Sequence, residues 1–161
     1  LSGPSILRGR GTAAAGSTEE ITLGTGLTMT AGVLGVSNML ETTFTPVAEG
    51  TGTAGTATYS TQQGKYQRVG NTYNFQLDVV YTVHTGTGNI KVTGLPIAAS
   101  GRTPVTIYIL GATITSSNMI QGYIANGATE ITLDQVSILG VATSITIPAA
   151  ATLIISGTVK I

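Results

Sequence analysis

Between Thr72 and His84, apolar and polar side chains alternate almost without a break. Tyr73, Phe75, Leu77, Val79, Tyr81 and Val83 share one parity, and Thr72, Asn74, Gln76, Asp78, Thr82 and His84 share the other. A period of two places successive side chains on opposite faces of an extended strand, whereas a helix would scatter both sets around its axis. One face of this strand is therefore destined for a core. Just before it, Gly70-Asn71 separates Tyr66-Gln67-Arg68-Val69 from Thr72-Tyr73-Asn74-Phe75. Both turn residues tolerate the positive φ of a tight hairpin.

The rest of the chain agrees with that seed. Threonine is the commonest of the 161 residues, at 29, and with Ile, Val, Gly and Ser it makes a composition that favours strands and turns over helices. Runs such as Pro104-Val105-Thr106-Ile107-Tyr108-Ile109-Leu110 and Thr143-Ser144-Ile145-Thr146-Ile147 are β-branched and bounded by turn residues. Strands are expected near 42–47, 57–61, 64–69, 72–84, 89–95, 105–110, 112–115, 119–124, 130–134 and 153–161, a number that fits a two-sheet sandwich. Residues 1–41 differ: a small-residue run, with extended pieces near 20–23 and 33–36, has too few large side chains to fold alone. It reads as a connector that orders only against other chains, leaving 42–161 as the folded head.

Charge excludes several functions. Seven basic and seven acidic residues make the chain neutral, and at 9% charged residues it falls far below the roughly 25% of ordinary soluble domains. No basic stripe can neutralise a nucleic-acid backbone. The absence of cysteine removes disulfides, thiolate metal sites and cysteine nucleophiles. With a single histidine and two aspartates, metal or cofactor binding is not expected. No apolar run is long enough for a membrane helix, and the lack of Trp argues against the aromatic girdles of a membrane barrel, so membrane insertion is not expected either. The start at Leu1, without Met, reads as a fragment of something longer. Low charge and a mean hydropathy of +0.34 imply that part of the surface is covered by partner chains, most simply in a homo-oligomer.

Two stretches carry a family resemblance. Leu7-Arg8-Gly9-Arg10, a small-residue run, and Glu20-Ile21-Thr22-Leu23-Gly24-Thr25-Gly26-Leu27 resemble the short unit of bacteriophage tail-fibre and related virion-fibre proteins. Gly64-Lys65-Tyr66-Gln67-Arg68-Val69-Gly70-Asn71 and His84-Thr85-Gly86-Thr87-Gly88-Asn89-Ile90-Lys91-Val92 are similar to the C-terminal head of such fibres. The resemblance implies a homotrimeric virion appendage on a tail fibre or the capsid surface. Its N-terminal segment would be an interwoven shaft joined to other virion proteins, and its head a jelly-roll-like β-sandwich that contacts a host-surface glycan or receptor, or decorates the capsid.

Catalytic arrangements find little support in the residues. Asp78 and His84 share a parity, with Ser60 or Ser100 as nominal nucleophiles, but neither serine sits in a Gly-x-Ser-x-Gly elbow, and His84 reads better as closing the turn over 85–89. A glycosidase needs two facing carboxylates. Glu19 and Glu20 alternate faces, and Glu130 and Asp134 stand about 13 Å apart along a strand. Gly86-Thr87-Gly88 lacks the helix and Lys-Ser or Lys-Thr of a phosphate loop. Binding is easier to support. The loops Ser116-Ser117-Asn118 and Ala125-Asn126-Gly127 carry amides and hydroxyls beside Tyr123, a mixture suited to sugar rings and their hydroxyls, and Arg102 before Thr103-Pro104 is either a further loop contact or a solvated residue. The expectation is therefore a non-enzymatic binding domain; a capsid decoration protein and a glycan hydrolase are the alternatives.

Overall fold

The computed structural model describes residues 7–9, 19–21, 27–31, 33–36 and 41–161, and all regular structure among them is β. The chain divides into two units, Leu1–Leu40 and Glu41–Ile161. In the first, β1 (Leu7–Gly9) pairs with β2 (Glu19–Ile21), and β3 (Leu27–Thr30) pairs with β4 (Val33–Val36), both antiparallel. Ala31 takes a positive φ of 51° in the turn between β3 and β4. These ladders lie within one chain, with Leu27 folded back opposite Val36. Most of the small-residue run, 10–17, lies outside the described residues, as do Thr22 and Leu23 of the first expected extended piece.

The second unit contains β5 (Thr42–Phe44), β6 (Val47–Gly50), β7 (Ala57–Val69), β8 (Thr72–His84), β9 (Ile90–Thr93), β10 (Thr103–Leu110), β11 (Met119–Ile124), β12 (Ile131–Val136), β13 (Ala142–Ser144) and β14 (Ala151–Lys160). They form one antiparallel sheet in the order β5-β7-β8-β14-β10-β11-β12-β9-β6, with β13 added on β12. The two layers expected of a sandwich are thus halves of a continuous sheet, joined through β10. Its Thr103–Val105 end pairs with β11, and from Thr106 onward it pairs with β14.

β5 and β6 stand at opposite ends of this order, yet only Thr45 and Pro46 separate them in the chain. The sheet therefore curls until its ends meet. Pro46 has no N–H to continue a ladder, which is why the single strand expected over 42–47 is two. Across the joint, Ala48 of β6 donates its N–H to Tyr59 Oη at 3.0 Å, and its carbonyl accepts from His84 Nε2 at 2.9 Å. Gln62 Nε2 reaches the Pro46 carbonyl at 3.0 Å.

The hairpin of β7 and β8 runs from Val69↔Thr72, with Gly70 at a φ of 59°, to Ala57↔His84. The separate strands expected over 57–61 and 64–69 are one strand with an irregularity inside it. There the ladder skips Ser60 on β7 and Thr82 on β8. An extra residue moves every later side chain to the other face. Tyr73, Phe75, Leu77, Val79 and Tyr81 are buried as their parity predicts, but Val83 is 53% exposed and His84, of the other parity, is only 9% exposed. Placing Val83 in the core is corrected by this bulge.

The core gathers Tyr73, Leu77, Val79 and Tyr81 from β8, Leu153, Ile155 and Val159 from β14, and Ile131 and Leu133 from β12. Each fully buried side chain of this size stabilises the fold by about 1.5–3 kcal/mol relative to exposure. The expected strand at 112–115 is absent. Thr115 donates its N–H to the side chain of Gln135 at 2.7 Å, so a side-chain acceptor stands where a neighbouring strand would otherwise be needed.

Candidate functional site

Arg102 and Tyr123 come together at the end of the sheet where β10 begins. Pro104 of β10 lies directly opposite Tyr123 of β11, and the Arg102 guanidinium carbon sits 3.8 Å above the centre of the Tyr123 ring. Such a stack draws the cation to the electron-rich face of the ring. The backbone below is held firmly. Ser100 donates to the Lys160 carbonyl at 2.8 Å, Gly127 donates to the Ala99 carbonyl at 2.7 Å, and Thr103 Oγ1 donates to the Gly101 carbonyl at 3.2 Å. The segment that presents Arg102 is thereby tied to the end of β14 on one side and to the β11–β12 turn on the other.

A groove of about 540 Å³ opens beside this stack, along β10 and β11. It exists because β10 leaves β11 after Val105 to join β14, so the two strands part and expose Ile107 and Ile120 between them. Gly122 lets the strands pack closely beside the groove: a Cβ there would lie 2.3 Å from Ile107 Cδ1 and 3.1 Å from Val105 Cγ2, so these side chains fill the space it leaves. Thr106 and Gln121 add a hydroxyl and an amide to the lining.

Of the four residues singled out from sequence, the structure unites two and places a third near them. Asn126 is exposed in the turn after β11, beside Gly127 with its positive φ of 75°, at the same end of the sheet as Arg102. Asn118 is at the far end of β11, about 17 Å from Tyr123 at the usual rise of a strand. Its Nδ2 donates to Gln135 Oε1 at 3.2 Å. Pro104, Thr106 and Gln121 escaped sequence reasoning. Their alternation with Val105 and Ile107 was a usable signal for an outward face, but the parting of β10 from β11 has no local sequence mark.

The hypothetical triad is not assembled. The bulge at Thr82 turns His84 inward, away from the outward face that carries Asp78. The ring of His84 accepts from the Gly86 N–H at Nδ1, at 2.9 Å, and so donates from Nε2 to Ala48. Asp78 instead lines a second groove of about 530 Å³ on the outer face of β7 and β8, with Gln63, Gln76 and a Lys65–Glu41 ion pair at 2.7 Å. Two other carboxylates converge on one cation: Lys91 Nζ is 2.9 Å from Glu130 and 3.8 Å from Glu49. The hydrogen bond that Lys91 donates to Glu130 holds the pKa of its ammonium above the ordinary range. The turn over 86–88 packs on 50–56, where Thr53 and Thr87 hydroxyls meet at 2.9 Å and Gly52 donates to the Thr87 carbonyl. Among the described residues no group of His, Cys, Asp and Glu is placed to hold a metal ion.

No protein-family model and no curated protein matches the chain. Among solved structures it is similar to the crystal structure of Dettilon tailspike protein (gp208), with a TM-score of 0.62 and 18% identity over 75% of this chain. The likeness takes in 23% of the tailspike's own length, so this chain spans only a fraction of that protein. What the two share at this identity is a fold, the curled all-β arrangement described above.

Proposed function

We propose that the chain is a non-enzymatic domain of a phage virion fibre or tailspike that attaches to a host-surface glycan. In this reading 42–161 is a jelly-roll-like head, residues 1–41 are an interwoven shaft that joins other virion proteins, and the whole is a homotrimer. The observation that carries the proposal is the Arg102–Tyr123 stack on the rim of an open groove. An aromatic plane next to hydroxyl and amide groups suits the apolar faces and polar edges of a sugar ring. The fold likeness to a tailspike supports a place on the virion tail. Three weak sites on one trimer gain affinity through linkage, which suits reversible adsorption.

The decoration reading also has an observation in its favour. Ile138 and Leu139, at the tip between β12 and β13, are 85% and 86% exposed, an apolar point that another virion protein would cover. Labelled protein incubated with candidate host cells and with fibre-depleted capsids separates the two. Saturable binding to cells, with no release of sugar, is the expected result. Binding to capsids alone would transfer the protein to decoration, and released sugar would make it a hydrolase. Light scattering should give three chains per particle; a monodisperse monomer would overturn the trimer.

A further inference from the structure

We propose that the groove beside Tyr123 takes an acidic saccharide, a sugar ring carrying a single carboxylate, and that Arg102 selects it. The inference rests on the reading of the head as a glycan binder and narrows the class of glycan.

Charge carries the argument. Arg102 alone is charged among the side chains that line the groove. The ion pairs among the described residues belong to Lys65 and Lys91, and none involves Arg102. A guanidinium placed on a groove without an anionic partner favours a ligand that brings the anion.

Geometry adds to it. Stacking on Tyr123 occupies a face of the guanidinium and leaves the edge, where all five N–H donors lie in one plane. That edge fits the two oxygens of a carboxylate in a bidentate pair. The stack also fixes the fork before the ligand arrives, so little rotamer freedom is lost on binding. With no second basic residue in the lining, the site balances one negative charge, which matches a carboxylate better than the larger charge of a phosphate monoester. The remaining lining then has a role on the same sugar ring: Pro104 offers an apolar surface beside the stack, and Gln121 offers an amide to its hydroxyls.

The test is calorimetric titration of the full chain with envelope polysaccharide fragments from host cells that bind it, separated by charge into neutral and carboxylated pools. A portion of the carboxylated pool is reduced to the alcohol. Carboxylated fragments should bind, and reduction should weaken them about tenfold or more, the effect of losing a hydrogen-bonded charge. Arg102→Gln should bind the reduced and unreduced pools alike, and Arg102→Lys should recover only part of the preference because it keeps the charge without the fork. Equal binding of neutral, reduced and carboxylated fragments would overturn the acid preference and leave the glycan reading standing. Binding of the carboxylated pool that is unchanged in Arg102→Gln would overturn the assignment to Arg102. Cells that bind the protein while no fragment does would sink both readings.

Discussion

Gly50 shows how closely single residues are fitted where the sheet closes. A Cβ at this position would lie 2.3 Å from the Thr87 carbonyl oxygen and 2.5 Å from that of Thr53, both fixed backbone atoms. Gly50→Ala is therefore expected to lower stability by about 2–3 kcal/mol, the cost of forcing atoms into a filled space, and urea unfolding will read it. Gly70, with nothing near its missing Cβ, offers a control: Gly70→Asn should cost well under 1 kcal/mol, because Asn accepts a positive φ. At the same scale, the sequence was a partial guide to the site. Arg102 and Tyr123 stood out as a cation and a ring in turn-rich surroundings, and they meet. Asn118 stood out for the same polar character but serves Gln135. An amide carries no mark of which partner it will find.

Among the elements, β8 was legible to the residue because its alternation and the Gly-Asn turn both fix its register. The bulge was not, since Ser60 and Thr82 are ordinary strand residues and the slip depends on how the two strands twist together. That slip sends Asp78 and His84, six positions apart and equal in parity, to opposite faces of the sheet. The loop over 112–118 looked like a strand because Ala, Thr and Ile alternate in it; Gln135, 20 residues beyond Thr115, decides otherwise. Gln135 accepts from the Thr115 N–H and the Asn118 amide and is itself buried, with 8% exposure. Gln135→Leu should keep the volume and remove both bonds, lowering stability by about 1–2 kcal/mol. Amide exchange at Thr115 should quicken by more than at Gly122, whose neighbours in β10 and β12 are untouched. Equal change at both sites would mean that Gln135 supports the whole sheet and not this loop.

At the scale of the whole molecule, the class was written in composition and alternation, while the closure of the sheet was not, because the pairing partners of β5 and β6 lie far apart along the chain. Closure buries tyrosines, and that gives the fold an alkaline limit. Burial pushes the Tyr73 hydroxyl up to about 12, and raises Tyr81 still further, with the charge of a titrating Tyr59 adding to it. Tyr59 is raised by burial, against the lowering effect of the hydrogen bond from Ala48 and with a smaller upward push from Glu49. An unfolded tyrosine gives up its proton near pH 10, so between about pH 10 and 12 the folded state holds protons that the unfolded state has lost. Stability from this source is whole below about pH 10 and falls as pH rises through the window, by about 1.4 kcal/mol per pH unit for each such group. Circular dichroism and the part of the tyrosinate absorbance that Tyr73→Phe and Tyr81→Phe remove should therefore change together above pH 10, with Tyr73 and Tyr81 ionising only as the sheet opens. Tyr73→Phe removes one of these protons along with the bond from its hydroxyl to the Ile97 carbonyl. It should be less stable near neutral pH and lose stability less steeply above pH 10. Ionisation of Tyr73 and Tyr81 near pH 10 with the sheet intact would show that water reaches them, and with it that the two ends of the sheet do not close.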